Sequence, residues 1–289
     1  MGTLFRDKIT ANLVTFNDRT AAPAGSVEWW MDVAEGWDDT AEVDLVSTRI
    51  GGGADGEIVG EVAPARARHM LLSGYAVAAS RPEAAALADI VIRDAFPRSA
   101  DITLTRYEGI TKTMVVRVSE KRQIVHVGPD NFRWIVPVLA GDPLKYGVLE
   151  IGGSSGVAGQ SSGGRTYDRT YPLTYINTAS ESDDKVVVDN AGTAPTQAIA
   201  TIAGPLIRGS WRISNDTYGD DLRFDVGLSI GDSLVIDFKE GTALLNGYPV
   251  TATIFGDFWK IRPGVNVIRL YGDYDPSAGM TISAKSAWE

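Results

Sequence analysis

Residues 256–270 read GDFWKIRPGVNVIRL. In an extended chain successive side chains leave on opposite faces, so Trp259 and Ile261 share one face while Lys260 and Arg262 share the other. Pro263-Gly264 suits the centre of a type II turn, and Asn266 to Leu270 resumes the alternation. The stretch therefore predicts a hairpin with its tryptophan turned inward and its charges in water. An aromatic flanked by charges is also how many sugar-binding faces look, so an exposed stacking platform is the alternative.

The surrounding residues share this two-residue period. Apolar runs at 170–176, 185–190, 198–204, 210–215, 222–228, 232–238, 243–252, 258–261, 266–272 and 280–288 are separated by Gly, Asn, Asp and Pro. Short strands at that cadence, with no helical period, predict an antiparallel β-sandwich or barrel. Asn246-Gly247 marks a tight hairpin, because both residues accept positive φ.

Upstream, Ile151 to Arg165 reads IGGSSGVAGQSSGGR, six glycines and four serines with almost nothing to bury. This composition predicts a flexible connector. The division expected is an N-terminal domain over 1–150, a linker over 151–165 and a C-terminal domain over 166–289. In the first domain, 82–95 predicts one helix: Pro82 sits at its start, Leu87, Ile90 and Val91 share a face, and Phe96-Pro97 ends it. Around it, 102–107 and 112–118 predict a hairpin, and 122–127 with 132–140 another. The fold class expected is mainly β, with one helix packed on the first domain's sheet.

Bulk composition excludes several functions. The formal net charge is −10, and residues 1–150 carry 16 basic against 21 acidic side chains, residues 151–289 carry 11 against 16. Each half thus stands at −5, with no basic arm to track a phosphate backbone. The chain has no cysteine, which removes disulfides, thiolate zinc ligands and thiol catalysis. Its two histidines, His69 and His126, are too few for a multi-histidine metal site. No apolar run reaches the ~20 residues of a membrane helix, and the start MGTLFRDKITANLV lacks the apolar core of a signal peptide. No cofactor is expected: GGGADG at 51–56 reads as a turn, and neither glycine-rich stretch carries the Lys-Ser/Thr of a phosphate loop.

Candidate contact residues are aromatic. EWWMDVAEGWDDTAEVDL at 28–45 holds seven acidic residues, no basic one, and Trp29, Trp30 and Trp37. It reads either as strands with buried tryptophans and solvated acids or as a docking surface for a partner; calcium-loop spacing is absent. On the second domain, Trp211, Tyr248 and Trp259 are the side chains that a carbohydrate platform would use. The carboxylate pairs Asp38-Asp39, Asp183-Asp184 and Asp220-Asp221 lie in polar, turn-like surroundings. General-acid catalysis needs a carboxyl in an apolar pocket, so no enzyme is expected.

One ordered series of residues goes further. Tyr167, Asn190-x-Gly192 with Pro195, Gly204-Pro205, Gly231-Asp232, Asn246-Gly247, Trp259 with Pro263-Gly264 and Asn266, and Trp288 resemble the C-terminal part of siphophage distal tail proteins. In the first half, 54–74, ITLTRYEG at 102–109 and WIVPVLAGDPLKYG at 134–147 are similar to that family's ring-forming domain, most like versions in phages of actinobacteria. The resemblance implies a hexameric ring at the end of the tail tube and a galectin-like β-sandwich projecting from it. It implies as partners further copies of the chain, the tail tube protein, the tail-tip hub protein and the tape measure protein, with DNA only passing through the lumen. It places the protein in the virion, at the tail tip, after assembly in the host cytoplasm. The galectin sugar-binding pattern is missing here, which counts against lectin activity. A carbohydrate-binding module for host adhesion, or another tube or hub component, remains the alternative.

Overall fold

The computed structural model describes residues 7–40, 42, 47–49, 57–59, 65–158, 185–272 and 277–289. The chain divides into two compact units, one of Met1–Val148 with Glu289, the other Leu149–Trp288. Both are mainly β, as the two-residue period predicts.

The first unit contains β1 (Lys8–Ala11), β2 (Val14–Phe16), β3 (Ser26–Glu35), β4 (Ser47–Arg49), β5 (Glu57–Val59), β6 (Arg68–Ala78), helix α1 (Arg81–Ile90), β7 (Ile102–Glu108), β8 (Ile110–Val118), β9 (Gln123–His126), β10 (Asn131–Ala140) and the start of β11 (Lys145–Ala158). One sheet runs β2–β1–β7–β8 and takes β11 at Tyr146↔Thr113. A second runs β3–β6–β10–β9, every neighbour antiparallel. Both predicted hairpins form. Gly109 at φ 58° lets Glu108 pair with Ile110 across the tightest possible turn, and His126 pairs with Phe132. The core lies between the sheets and under α1: Phe16, Trp29, Leu72, Leu87, Phe96, Phe132 and Trp134 are buried in one cluster. Phe16 stacks on Trp29 at 5.0 Å between ring centroids and meets Trp134 at 5.2 Å. The helix starts with Pro82 in its first turn, and its helical backbone reaches Ala95 as 82–95 implies. From Val91 to Ala95 the backbone widens into a single π turn before Phe96.

The second unit contains β12 (Val186–Asn190), β13 (Ala198–Ala203), β14 (Trp211–Asn215), β15 (Asp220–Phe224), β16 (Ser233–Asp237), β17 (Thr242–Leu245), β18 (Tyr248–Pro249), β19 (Ile254–Gly256), β20 (Gly264–Tyr271) and β21 (Gly279–Trp288). β21–β13–β16–β17–β18 form one antiparallel sheet, and β12–β20–β14–β15–β19 the other. Their inward residues, among them Ile202, Ile213, Leu222, Ile236, Ile268 and Ile282, make a second core that shares no residue with the first. Asn246 and Gly247 hold φ of 51° and 86° in the β17–β18 turn, as their pairing predicts.

Two expectations are corrected. The flexible linker over 151–165 is strand as far as Ala158. β11 passes out of the first unit and pairs in parallel with β20 at Val157↔Leu270. Glycine serves there because backbone comes close. Gly152 sits at φ 151°, and a Cβ on it would collide with the carbonyl of Ile282. Residues 159–165, the strand expected at 170–176, Tyr167, Asp183-Asp184 and the turn at 51–56 lie outside the described residues. The second correction concerns 256–270. The alternation holds, with Trp259 and Ile261 buried and Lys260 and Arg262 exposed, but 258–261 is not a hairpin arm. Ile261 bridges instead to Thr196, and β20 pairs with β12 and β14. Alternation records which face is buried and leaves the pairing partner open.

Candidate interaction surfaces

The aromatic candidates separate by burial. Trp211 is 2 % exposed, stacks on Phe224 at 4.3 Å and donates its indole N–H to the Val226 carbonyl at 2.7 Å. Trp259 is 7 % exposed and leans on Phe238 at 4.6 Å. Neither can offer a ring face to a sugar, which corrects two of the three platform residues. Tyr248 stands exposed beside the Asn246-Gly247 turn, without them. Of the docking candidates, Trp29 and Trp37 are buried in the first core. Trp30 is half-buried on the outer face of β3–β6–β10–β9, in one cross-strand row with Tyr75, Arg133 and Val125.

In the two described carboxylate pairs, Asp38, Asp220 and Asp221 lie against arginines. Asp38 accepts two hydrogen bonds from Arg106, which also holds Asp7. Asp220 pairs with Arg262 at 3.2 Å, and Asp221 lies between Arg212 and Arg223. None of these lies in a closed apolar pocket, the condition for a general acid. His69 and His126 are exposed strand residues on β6 and β9. Among the described residues no three His, Asp or Glu side chains group to hold a metal ion.

Residues of the ordered motif series turn out to be hydrogen-bonding anchors. Asn190, fully buried, donates to the carbonyls of Ala194 and Ile261 and accepts from the Gly192 amide at 3.0 Å. Gly192 has no room for a side chain, since a Cβ there would meet the Ala287 carbonyl. Asn266, also fully buried, donates to the carbonyls of Arg262 and Gly264, both at 2.8 Å, and accepts from the Arg262 amide and from Asn215. It ties down the Pro263-Gly264 turn from inside.

One feature had no signal in the residue pattern. Arg68 is 3 % exposed and Lys145 4 % exposed, yet neither makes an ion pair among the described residues. Arg68 donates to the carbonyls of Gly36, Trp37, Asp39 and Pro143, and Lys145 to that of Trp37 at 2.9 Å. Two cations thus pin the turn that follows β3. Burial, and then the neighbouring Arg68 and Lys112, hold the Lys145 amine below its ordinary range.

The first unit also exposes a sheet edge. Among the described residues β9 pairs with β10 alone. The Val127 amide donates to Asn131 on β10. By the two-residue period the amides of Ile124 and His126 therefore point away from the sheet. Val125 and Val127 are 50 % and 67 % exposed there. Arg98, Lys121 and Arg122 gather beside this edge with Glu120 as the one acid lining the same hollow. At the far edge, β3 carries Glu28, Asp32 and Glu35 and no basic residue. Asn17 caps part of that edge, exchanging hydrogen bonds with Met31.

Comparison with known proteins agrees with the motif series. Residues 191–288 match the family described as Siphovirus-type tail component, C-terminal domain. No curated protein sequence matches the chain. Among solved structures, the chain is similar to the Dit protein (gp 19.1) of phage SPP1, described as a paradigm of the hub adsorption apparatus in phages infecting Gram-positive hosts. That likeness has a TM-score of 0.63 at 12 % identity and covers 96 % of this chain and 98 % of that one. Chains of the phage P2 baseplate in its activated conformation, with Ca and with Sr, match at TM-scores of 0.44 and 0.41, each at 12 % identity and with the same coverage. Residues 191–288 thus match a siphovirus-type tail component domain, and the chain, which resembles siphophage distal tail proteins, is similar in fold to phage SPP1 Dit.

Proposed function

We propose that the chain is a structural subunit of a long non-contractile phage tail, closing into a hexameric ring at the tail's distal end and joining the tail tube to the tip hub. Its work is association, not chemistry. The observation that carries this reading is the outer edge of β9, unpaired among the described residues. Outward amides at Ile124 and His126 and exposed Val125 and Val127 form a strand edge that a monomer would have to blunt. In β3–β6–β10–β9 the two edge strands run antiparallel to each other, so a neighbouring sheet added in the same sense would continue the antiparallel order. The edges differ in charge, basic near β9 and acidic on β3, which suits a head-to-tail contact; repeated by rotation, such contacts close a ring.

The family description of residues 191–288 and the fold likeness to phage SPP1 Dit support the placement in a tail. The tail tube, hub and tape measure proteins are the partners in this reading, and the virion tail tip is its location. The lumen passes DNA between acidic or neutral walls, consistent with the −5 charge of residues 1–150. The carbohydrate-module alternative loses its support with the burial of Trp211 and Trp259.

Replacing His126 with proline removes an outward amide and no hydrogen bond of the β9–β10 ladder. Native mass measurement is expected to give a hexamer for the unaltered chain and a monomer with an unchanged circular dichroism spectrum for His126→Pro. A trimer would move the chain to the hub, and a monomeric unaltered chain would end the ring reading.

A further inference from the structure

We propose that the outer face of the β12–β20–β14–β15–β19 sheet is a docking surface for an acidic peptide segment of another protein, read by Arg212 and Arg223. The inference stands independently of ring formation, because it concerns only the second unit.

Four side chains stand in one row across four strands. Tyr271 on β20 is opposite Arg212 on β14, Arg212 is opposite Arg223 on β15, and Arg223 is opposite Phe255 on β19. Two like charges directly opposite each other destabilise a sheet. Among the described residues one acid pairs with them: Asp221 lies 3.5 Å from Arg212 and 3.9 Å from Arg223, both too long for a hydrogen bond of normal strength. Neither guanidinium donates a single hydrogen bond to the protein among the described residues, and the buried Arg212 Nε has only the long ion pair to Asp221. Contrast Arg208, which spends its donors on both oxygens of Asp225 at 3.0 Å. Two guanidiniums sharing one carboxylate leave a local positive excess on a chain whose net charge is −10.

The row is also prepared for contact. Arg212 lies over the Tyr271 ring at 4.4 Å, and Tyr271 is fixed in turn by its hydroxyl donating to Asp216 at 2.9 Å. A guanidinium already held flat loses little freedom when it binds. The Arg223 side chain is 68 % exposed and Phe255 59 % exposed, the arginine and aromatic types that dominate protein interfaces. Carboxylates match the fork of a guanidinium, which makes an acidic peptide the fitting occupant. A sugar polymer fits less well, because the Tyr271 face is already covered by Arg212.

Immobilised full-length chain, probed with poly-L-glutamate at low salt, tests this. Binding is expected despite the chain's negative charge, to weaken roughly tenfold with Arg212→Ala and again with Arg223→Gln, and to fall as salt rises. Arg208→Ala should leave it unchanged, and matching thermal midpoints would exclude misfolding as the cause. Absence of binding to the unaltered chain, equal binding by the arginine variants, or tighter binding of polygalacturonate than of polyglutamate would overturn the proposal.

Discussion

Arg68 holds four carbonyl groups from a buried position, while Lys145 holds one beside it. Removing a donor leaves desolvated acceptors behind, and each costs about 1–3 kcal/mol. Arg68→Met keeps the apolar stem and strips the carbonyls of Gly36, Trp37, Asp39 and Pro143. We expect a loss of at least about 3 kcal/mol in urea unfolding. Lys145→Met removes a single bond and also relieves repulsion from Arg68, so its cost should be much smaller. Their pH dependence follows from the depressed Lys145 amine. Between its lowered folded value and its ordinary value the unfolded chain binds more protons than the folded one, so stability rises with pH through that window. Lys145→Met should flatten that rise relative to the unaltered chain. An equal cost for both substitutions, or a rise that Lys145→Met leaves intact, would show that the two cations are not arranged as described.

Strands were largely legible from the two-residue period because each sheet buries one face, and the turns were legible where chemistry demanded it, as at Asn246-Gly247. Pairing was not. Trp259 and Ile261 alternate in the same way whether they form a hairpin arm or, as here, bridge back to Thr196. Nor does a glycine-rich composition tell a flexible chain from one crowded by backbone, which is why β11 runs through most of the expected linker. Of the site candidates, Trp259 is buried as its alternation predicts and Trp29 and Trp37 follow the buried-tryptophan reading of 28–45, whereas the burial of Trp211 had no such signal. The Arg212–Arg223 row depends on register between strands far apart in the chain, which no local pattern carries. Asn266 shows what did lie behind the motif. Its amide donates to two carbonyls, and an aspartate cannot donate to either. Asn266→Asp should therefore cost about as much as Asn266→Ala, roughly 3 kcal/mol or more, seen as a lower melting temperature. A fully tolerated aspartate would show that the amide is not what closes the Pro263-Gly264 turn.

The two cores share no residue, and each closes within its own unit, so the whole chain should unfold in two steps by calorimetry. Leu87→Ala opens a cavity in the first core, at about 2–5 kcal/mol, and should lower one transition. Ile202→Ala, fully buried in the second core, should lower the other by a similar amount. Concentration then separates them. A ring built through the β9 edge stabilises the folded first unit by mass action, so its transition should rise as protein concentration is raised. The second unit contributes nothing to that contact and its transition should stay fixed. His126→Pro should abolish the concentration dependence of the first transition while leaving the second where it was. If both transitions climbed together with concentration, or if neither did in the unaltered chain, the ring could not be held by the first unit's sheet edge.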